Sequence, residues 1–144
     1  MFQTDQIFFG FKAADKQSFI TKAAGYLANQ TGTQSDLIAE RLLERERLGS
    51  TGMGRGIAIP HARVPGIDRV HTLFAALDKA IDDRPVDLIT VLIAPENSGA
   101  DHLQTLALIS RTMRDKQFCS KLRGANSLDA LKVMLNPVDH AEAA

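Results

Sequence analysis

The residues from Val86 to Ala94 form a nearly continuous apolar run of β-branched residues and leucine. Such a run predicts a strand, and because both of its alternating faces are apolar, other parts of the fold must cover both. Apolar residues recur at helical spacing from Asp15 to Gly32 and again from Asp101 to Met113, before and after this strand. The sequence therefore predicts an α/β fold of three layers, with a central mixed β-sheet flanked by helices on both faces.

The other predicted elements fill the rest of the chain. The 144 residues fit a single domain over 1–144, with a packed core over about 5–135. Two further strands are predicted, at Ile57–Pro60 and at Val70–Leu77. Three further helices are predicted: one capped by Ser35 that ends near Leu48, one over Lys116–Leu122, and one over Leu128–Leu135 capped by Ser127.

Charge and cysteine content exclude several classes of protein. The 17 Lys and Arg balance the 17 Asp and Glu, so the chain lacks the broad positive field of non-specific nucleic-acid binding, and no nucleic-acid partner is expected. Cys119 is the single cysteine, which excludes an internal disulfide and fits a reducing compartment, the cytoplasm. Charges interrupt every apolar run, so no membrane insertion is expected.

A glycine-rich segment precedes the first candidate for chemistry. Four glycines lie between Gly49 and Gly56, and the apolar run Ile57–Pro60 leads from them directly into His61. Glycines expose backbone N–H groups and let the chain approach a phosphate, while the proline is expected to end the strand. A neutral imidazole held there is a good nucleophile for phosphoryl transfer. The alternative is a strand-end histidine with a satisfied hydrogen bond, and spacing alone does not decide between the two.

Two other side chains are suited to binding an anion. His102 lies in the first turn of the predicted third helix, where the helix N-terminus favours negative charge. Arg45 carries a guanidinium whose fixed fork of donors suits a phosphoryl group. Taken from the residues alone, a satisfied core histidine and a solvated arginine are the simpler interpretations.

Nucleotide, dinucleotide and metal sites have little support in the sequence. No Gly-Lys-Ser/Thr follows the glycine-rich segment, and Gly54-Arg55-Gly56 lacks the third glycine of a dinucleotide fingerprint. Cys119 falls in an apolar helix, where a small buried side chain is expected rather than a nucleophile. No short ligand spacing joins the histidines, so neither a metal nor a cofactor is expected. The histidines are His61, His71, His102 and His140.

The segment from Glu46 to Ala62, ERLGSTGMGRGIAIPHA, resembles the active-site segment of the fructose/mannitol class of phosphotransferase-system enzyme IIA domains. In that family the phosphorylated histidine directly follows the proline of Ile57-Ala58-Ile59-Pro60-His61, and the Met53-Gly54 pair also matches. The resemblance covers about residues 5 to 135. Gly49–Gly52, Pro85–Leu88 and Asp101–Leu108 are similar to the nitrogen-regulatory branch. Ala62 stands where many members have glycine, and Arg55 where nitrogen-type members often have asparagine.

The resemblance implies a phosphotransferase component rather than a metabolic enzyme with a substrate pocket. His61 would accept a phosphoryl group from a phosphohistidine of HPr or NPr, with phosphoenolpyruvate as the ultimate donor and no nucleotide. Arg45 and His102 match the family's active-site arginine and second histidine, which implies that Arg45 neutralises phosphoryl charge and that His102 holds the phosphate or orients His61. The expected docking surface for the donor comprises Gly54, Arg55, Gly56 and Pro60, with Met53 and Ile57 as apolar contacts.

The nitrogen-regulatory branch implies regulation rather than transport. Phosphorylation of His61 would change which target proteins bind, such as a potassium transporter or a sensor kinase. Two alternatives stay open: a sugar-transport IIA that passes its phosphate to a separate IIB, and a binding adaptor that has kept the fold without the chemistry.

Overall fold

The computed structural model describes residues 4–136, in which six strands form one mixed sheet and five helices pack on it. The strands are β1 (Gln6–Phe11), β2 (Gly52–Gly54), β3 (Ile57–Ala58), β4 (His61–Val64), β5 (His71–Ile81) and β6 (Val86–Pro95). The helices are α1 (Lys16–Thr31), α2 (Ser35–Leu48), α3 (Ala100–Arg114), α4 (Lys116–Gly124) and α5 (Leu128–Leu135).

Strand β6 divides the hydrophobic core into two halves. Its alternate side chains enter opposite layers, Ile89, Val91 and Ile93 on one side and Leu88 and Leu92 on the other. The first layer is closed by α1 and α2, and the second by α3, α4 and α5. Because successive side chains of a strand point to opposite faces, this pattern confirms the predicted α/β fold of three layers with a central mixed sheet.

The strand order is β1-β5-β6-β3-β2, and β4 also pairs with β6. Both β3 and β4 run parallel to β6, and the register is the same on the two sides of Pro60: Ile57 pairs with Leu88, and His61 with Leu92. Strand β3 ends before Pro60, as predicted, but the sequence did not predict the strand β4 that begins directly after the proline. The proline removes one donor from the ladder, but its carbonyl still accepts the Leu92 N–H at 3.0 Å, and pairing resumes at His61.

The helix ends follow the local sequence with one exception. Asp15 caps α1 in a capping box with Ser18, and Gly32 ends the helix in the left-handed conformation. Ser127 caps α5 as predicted, because its hydroxyl accepts the Ala130 N–H at 3.1 Å. Ser35 is not a cap: Gln34 takes that position without a side-chain hydrogen bond, so Ser35 is the first residue of α2.

Strand β1 was not predicted from the sequence. It pairs parallel with β5 at one edge of the sheet, and Phe8 and Phe11 pack with their rings 5.5 Å apart at 80°. The register shifts between Phe9 and Phe11, where Gly10 adopts a φ of +71°. This glycine and the absence of strict alternation hide the strand in the sequence.

The glycine-rich segment forms a tight hairpin rather than an open loop. Strands β2 and β3 pair antiparallel, and the turn between them holds three successive residues at positive φ: Gly54 at +81°, Arg55 at +56° and Gly56 at +82°. Glycine adopts this conformation without steric cost, whereas Arg55 is an uncommon case. The hairpin thus places the chain that leads into His61 against β6.

Candidate functional site

His61 is the first residue of β4 and is half-buried. Its Nδ1 lies 2.8 Å from the backbone carbonyl oxygen of Ile59. A carbonyl can only accept a hydrogen bond, so Nδ1 carries the proton and donates it to Ile59. The other ring nitrogen, Nε2, therefore keeps a free lone pair, and the ring is held in the tautomer that a nucleophile at Nε2 requires.

His102 lies beside His61, in the first turn of α3. The two imidazole rings have their centroids 6.2 Å apart and are inclined at 45°. His102 is 6% exposed, and its Nδ1 is buried with no hydrogen-bond partner among residues 4–136. The structure thus brings together the two histidines that the sequence singled out separately.

The environment of His102 keeps its ring neutral. Burial lowers the pKa of His102 below its ordinary value, and repulsion by His61, when that ring is protonated, and by the Arg63 guanidinium lowers it further. At neutral pH one of its ring nitrogens therefore carries a proton and the other a lone pair.

Arg63 is a residue of this site that the sequence analysis missed. It follows His61 by two positions on β4, so the two side chains share one face of the sheet. It is exposed and makes no hydrogen bond or ion pair within the described part of the chain. The signal that could have found it is the alternation of β4, which is hidden in the sequence because a strand was not expected after Pro60.

Arg45 lies in the last turn of α2 and is half-buried. Its Nη1 donates a hydrogen bond to the carbonyl oxygen of Gly49 at 2.9 Å. The guanidinium therefore holds the start of the glycine-rich segment against the end of α2, with further donors left on the same fork.

Arg55 points away from the two histidines. Its Nη2 donates to the carbonyl oxygen of Arg114 at 3.2 Å, at the C-terminal end of α3. His102 is in the first turn of that helix, roughly 18 Å away along the helix axis. The structure thus separates Arg55 from the site beside which the sequence analysis expected it.

The predicted docking surface is only partly exposed. Gly54 and Arg55 are exposed, whereas Pro60 and Ile57 are buried, because Ile57 belongs to the core beneath α3. Pro60 and Ile57 therefore expose little surface that a donor protein could contact. Gly56 lies against the ion pair of Arg123 and Asp87, whose Nε and Oδ2 are 2.8 Å apart.

His71 and Cys119 are buried and hydrogen-bonded inside the fold. His71 is buried, and its Nδ1 lies 2.7 Å from Nε2 of Gln30. Cys119 is buried, burial raises the pKa of its thiol, and its Sγ donates to the carbonyl oxygen of Met113. Within residues 4–136, no group of three or more His, Cys, Asp or Glu side chains could hold a metal. His140 lies outside the described residues.

A helix that spans a membrane must be both long and apolar. Across the described residues, no helix combines the length and the apolar character needed to cross a bilayer.

Comparison with known families decides the relationship of the chain. Residues 1–137 match the family described as "Phosphoenolpyruvate-dependent sugar phosphotransferase system, EIIA 2". The chain belongs to this EIIA family. An EIIA domain is a component of a phosphotransferase system. The family match agrees with the resemblance of the segment around His61 to the active-site segment of EIIA domains.

The relatives of this EIIA chain include nitrogen regulatory proteins. It is 40% identical over 129 residues to the nitrogen regulatory protein of Bradyrhizobium diazoefficiens, covering 86% of this chain and 84% of that protein. It is 38% identical over 110 residues to the nitrogen regulatory protein of Escherichia coli K12, covering 72% of this chain and 68% of the relative.

Solved structures share the fold. The nitrogen regulatory protein IIA-Ntr of Neisseria meningitidis superposes with a TM-score of 0.79 at 29% identity, over 91% of this chain and 93% of that one. The IIA mannitol domain of Escherichia coli, solved in complex with phosphorylated enzyme IIB mannitol, superposes with a TM-score of 0.77 at 22% identity, over 94% and 96% of the two chains. The second likeness concerns the fold alone.

Proposed function

We propose that this EIIA protein is a cytoplasmic phospho-carrier whose His61 Nε2 accepts a phosphoryl group from a phosphohistidine of HPr or NPr. The observation that carries the proposal is the hydrogen bond from His61 Nδ1 to the Ile59 carbonyl at 2.8 Å. It occupies one ring nitrogen as a donor and leaves the other as a nucleophile on a half-buried ring that a partner protein can reach.

The transfer is an in-line displacement at phosphorus. The Nε2 lone pair of His61 forms a new N–P bond while the N–P bond of the donor breaks, and that electron pair returns to the donor imidazole. The transition state spreads negative charge over three equatorial oxygens, so catalysis consists of positioning and electrostatic stabilisation. No nucleotide or metal is needed for this step.

His102 provides a hydrogen-bond donor to the phosphoryl group. A proton on its Nδ1 would be a buried donor without a partner, which is rarer and more costly than a lone pair left unpaired. The neutral ring therefore carries its proton on Nε2. The ring centroids lie 6.2 Å apart, and this N–H is the one that donates to a phosphoryl oxygen carried by His61 in the proposed complex.

Two positive features neutralise the transferred charge. Arg45 keeps guanidinium donors beyond the one that Gly49 uses. The N-cap of α3, Gly99, makes no side-chain cap, so the first N–H groups of the helix that carries His102 are open to an anion. Both favour the phosphorylated state and the transition state that leads to it.

The regulatory part of the proposal is supported by the nitrogen regulatory relatives. A phosphoryl group adds about two negative charges at the half-buried His61 and so changes which surfaces can bind there. By the resemblance, the targets are proteins such as a potassium transporter or a sensor kinase. Transfer onward to a separate IIB protein is the second candidate, since the IIA mannitol domain of like fold was solved with its phosphorylated IIB.

The test is phosphorylation of the purified chain. The protein is incubated with phosphoenolpyruvate, enzyme I and either HPr or NPr, and its intact mass is measured before and after acid treatment. We expect one acid-labile phosphoryl group on the wild type, none on His61→Ala, and one on the control His71→Gln, because His71 is buried and bonded to Gln30. No gain of mass by folded wild-type protein with either donor would overturn the proposal in favour of the adaptor.

A further inference from the structure

We propose that Glu46 and Thr51 are positioning residues that hold His61 in its reactive tautomer through a series of hydrogen bonds. This inference rests on the proposed function, because it assigns a role in phosphorylation of the same histidine. Neither side chain is among the proposed site residues His61, His102 and Arg45.

Glu46 provides a largely buried carboxylate in the last turn of α2, and both of its oxygens are paired. Its side chain is 10% exposed. One oxygen accepts a hydrogen bond from the Thr51 hydroxyl, and the other accepts one from Lys16 Nζ at 3.2 Å. A buried carboxylate is costly unless its oxygens are paired, and here Lys16 and Thr51 satisfy both. The negatively charged carboxylate of Glu46 thereby holds the hydroxyl of Thr51 in place.

Thr51 passes this constraint on to the ring of His61. It is 8% exposed, and its carbonyl oxygen accepts the N–H of Ile59 at 3.1 Å. The carbonyl of Ile59 in turn accepts the Nδ1 proton of His61 at 2.8 Å. Three successive hydrogen bonds therefore connect the Glu46 carboxylate to the imidazole of His61. Both the backbone N–H and the backbone carbonyl of Ile59 take part in this series.

The same turn of α2 also fixes Arg45. The N–H of Gly49 donates to the carbonyl oxygen of Glu46 at 3.2 Å, and the Gly49 carbonyl accepts from Arg45 at 2.9 Å. The end of α2 thus holds both the arginine and, through Thr51, the nucleophile. The position of Arg45 relative to His61 therefore depends on the hydrogen bond between Thr51 and Glu46.

The chemical consequence concerns the tautomer of His61. A free histidine ring favours the proton on Nε2, which would block the nucleophilic lone pair. The Ile59 carbonyl reverses this preference only while it stays aligned with Nδ1. Loosening Thr51 releases Ile59, so the population of the reactive tautomer and the rate of phosphorylation should fall together.

The test uses a pair of substitutions at one position. Thr51→Val keeps the shape of the side chain and removes its hydroxyl, whereas Thr51→Ser keeps the hydroxyl. Thr112→Val is the matched control, because its hydroxyl donates to the Leu108 carbonyl inside α3, away from this series. For each protein, the tautomer of His61 is measured by nitrogen-15 NMR, and the phosphorylation rate by rapid-quench single turnover.

We expect Thr51→Val to shift His61 towards the Nε2–H tautomer and to slow phosphorylation about tenfold, while Thr51→Ser and Thr112→Val resemble the wild type. Glu46→Gln keeps the shape and an acceptor for Thr51 but loses the charge that pairs with Lys16, so its rate should fall between those of wild type and Thr51→Val. It keeps the inference testable if Thr51→Val does not fold.

A wild-type tautomer and rate in folded Thr51→Val and Glu46→Gln would overturn the inference. An equal fall in rate in Thr112→Val would overturn it as well, because a general loss of stability would then explain the effect. Failure of the proposed function looks different: the wild type itself would not be phosphorylated, while the tautomer measurement would still decide whether Thr51 holds His61.

Discussion

The imidazole rings of His61 and His102 lie with their centroids 6.2 Å apart, although the two residues belong to a strand and to a helix in different layers. They meet because His61 pairs with Leu92 of β6, and α3 begins shortly after β6 ends. The face of β4 that carries His61 is the face on which α3 packs. The two histidines are therefore placed together by the sheet order.

The first prediction concerns His102. His102→Ala removes the N–H that we propose stabilises the transferring phosphoryl group, and the phosphorylation rate should fall by roughly 10²-fold. His102→Gln keeps a side-chain N–H and should recover part of the rate. Rapid-quench measurement of the acid-labile phosphoryl group decides the matter, and an unchanged rate in His102→Ala would contradict the assigned role.

The second prediction compares two arginines in the last turn of α2. Arg45→Gln should slow phosphorylation about tenfold, because a neutral amide no longer offsets the negative charge of the transition state. Arg47→Gln is the control, since Arg47 is exposed in the same turn and has the same charge. The single-turnover rates of the two variants are compared at one ionic strength. Equal rates would show that Arg45 acts only through the net charge of the chain.

The third prediction concerns the pKa of His102. The charge of Arg63 is one cause that holds this pKa below the ordinary value, so Arg63→Gln should raise it and His102 should take up its proton at a higher pH than in the wild type. Arg69→Gln should instead raise the pKa of His71, which is lowered first by burial and then by the charge of Arg69. NMR titration of both rings in both variants measures the two pKa values. The prediction is contradicted if the pKa of His102 rises in Arg69→Gln but not in Arg63→Gln.

The fourth prediction concerns the turn before β3. A Cβ added at Gly56 would lie 2.5 Å from Arg123 Nη2 and 2.5 Å from Asp87 Oδ1, at a φ of +82°. Gly56→Ala should therefore lower the free energy of unfolding by about 1–3 kcal/mol. Gly124→Ala is the control, because nothing lies within 4 Å of its added Cβ, and it should stabilise the chain by less than about 1 kcal/mol. Urea denaturation of both variants measures the difference, and equal stability would contradict the close approach.

The sequence alone predicted the layers of the fold and the helices well. The apolar run of β6 requires cover on both faces, and the helical spacing from Asp15 to Gly32 and the cap residue Ser127 mark helix ends without reference to the rest of the chain. Strand β1 and the resumption of pairing after Pro60 escaped prediction, because both depend on partners distant in sequence: β5 for the first and β6 for the second.

The candidate site was predictable residue by residue but not as an arrangement. His61, His102 and Arg45 were found from their sequence context and the family resemblance. The proximity of the two rings, the burial of Pro60 and the distance of Arg55 from His102 depend on how the elements pack. Arg63 shares a strand face with His61, but that alternation is visible only once a strand after Pro60 is known. The series from Glu46 to His61 consists of neighbours in space, so no spacing in the sequence marks it.

The central claim is that Nε2 of His61 carries the phosphoryl group, since Nδ1 is committed to the Ile59 carbonyl. The most direct measurement is NMR of the phosphorylated, nitrogen-15-labelled protein, in which coupling to phosphorus-31 identifies the substituted ring nitrogen. The account predicts a phosphorus coupling at Nε2 of His61 and a retained proton on Nδ1. Phosphorus on Nδ1 of His61, or on the ring of another histidine, would contradict it.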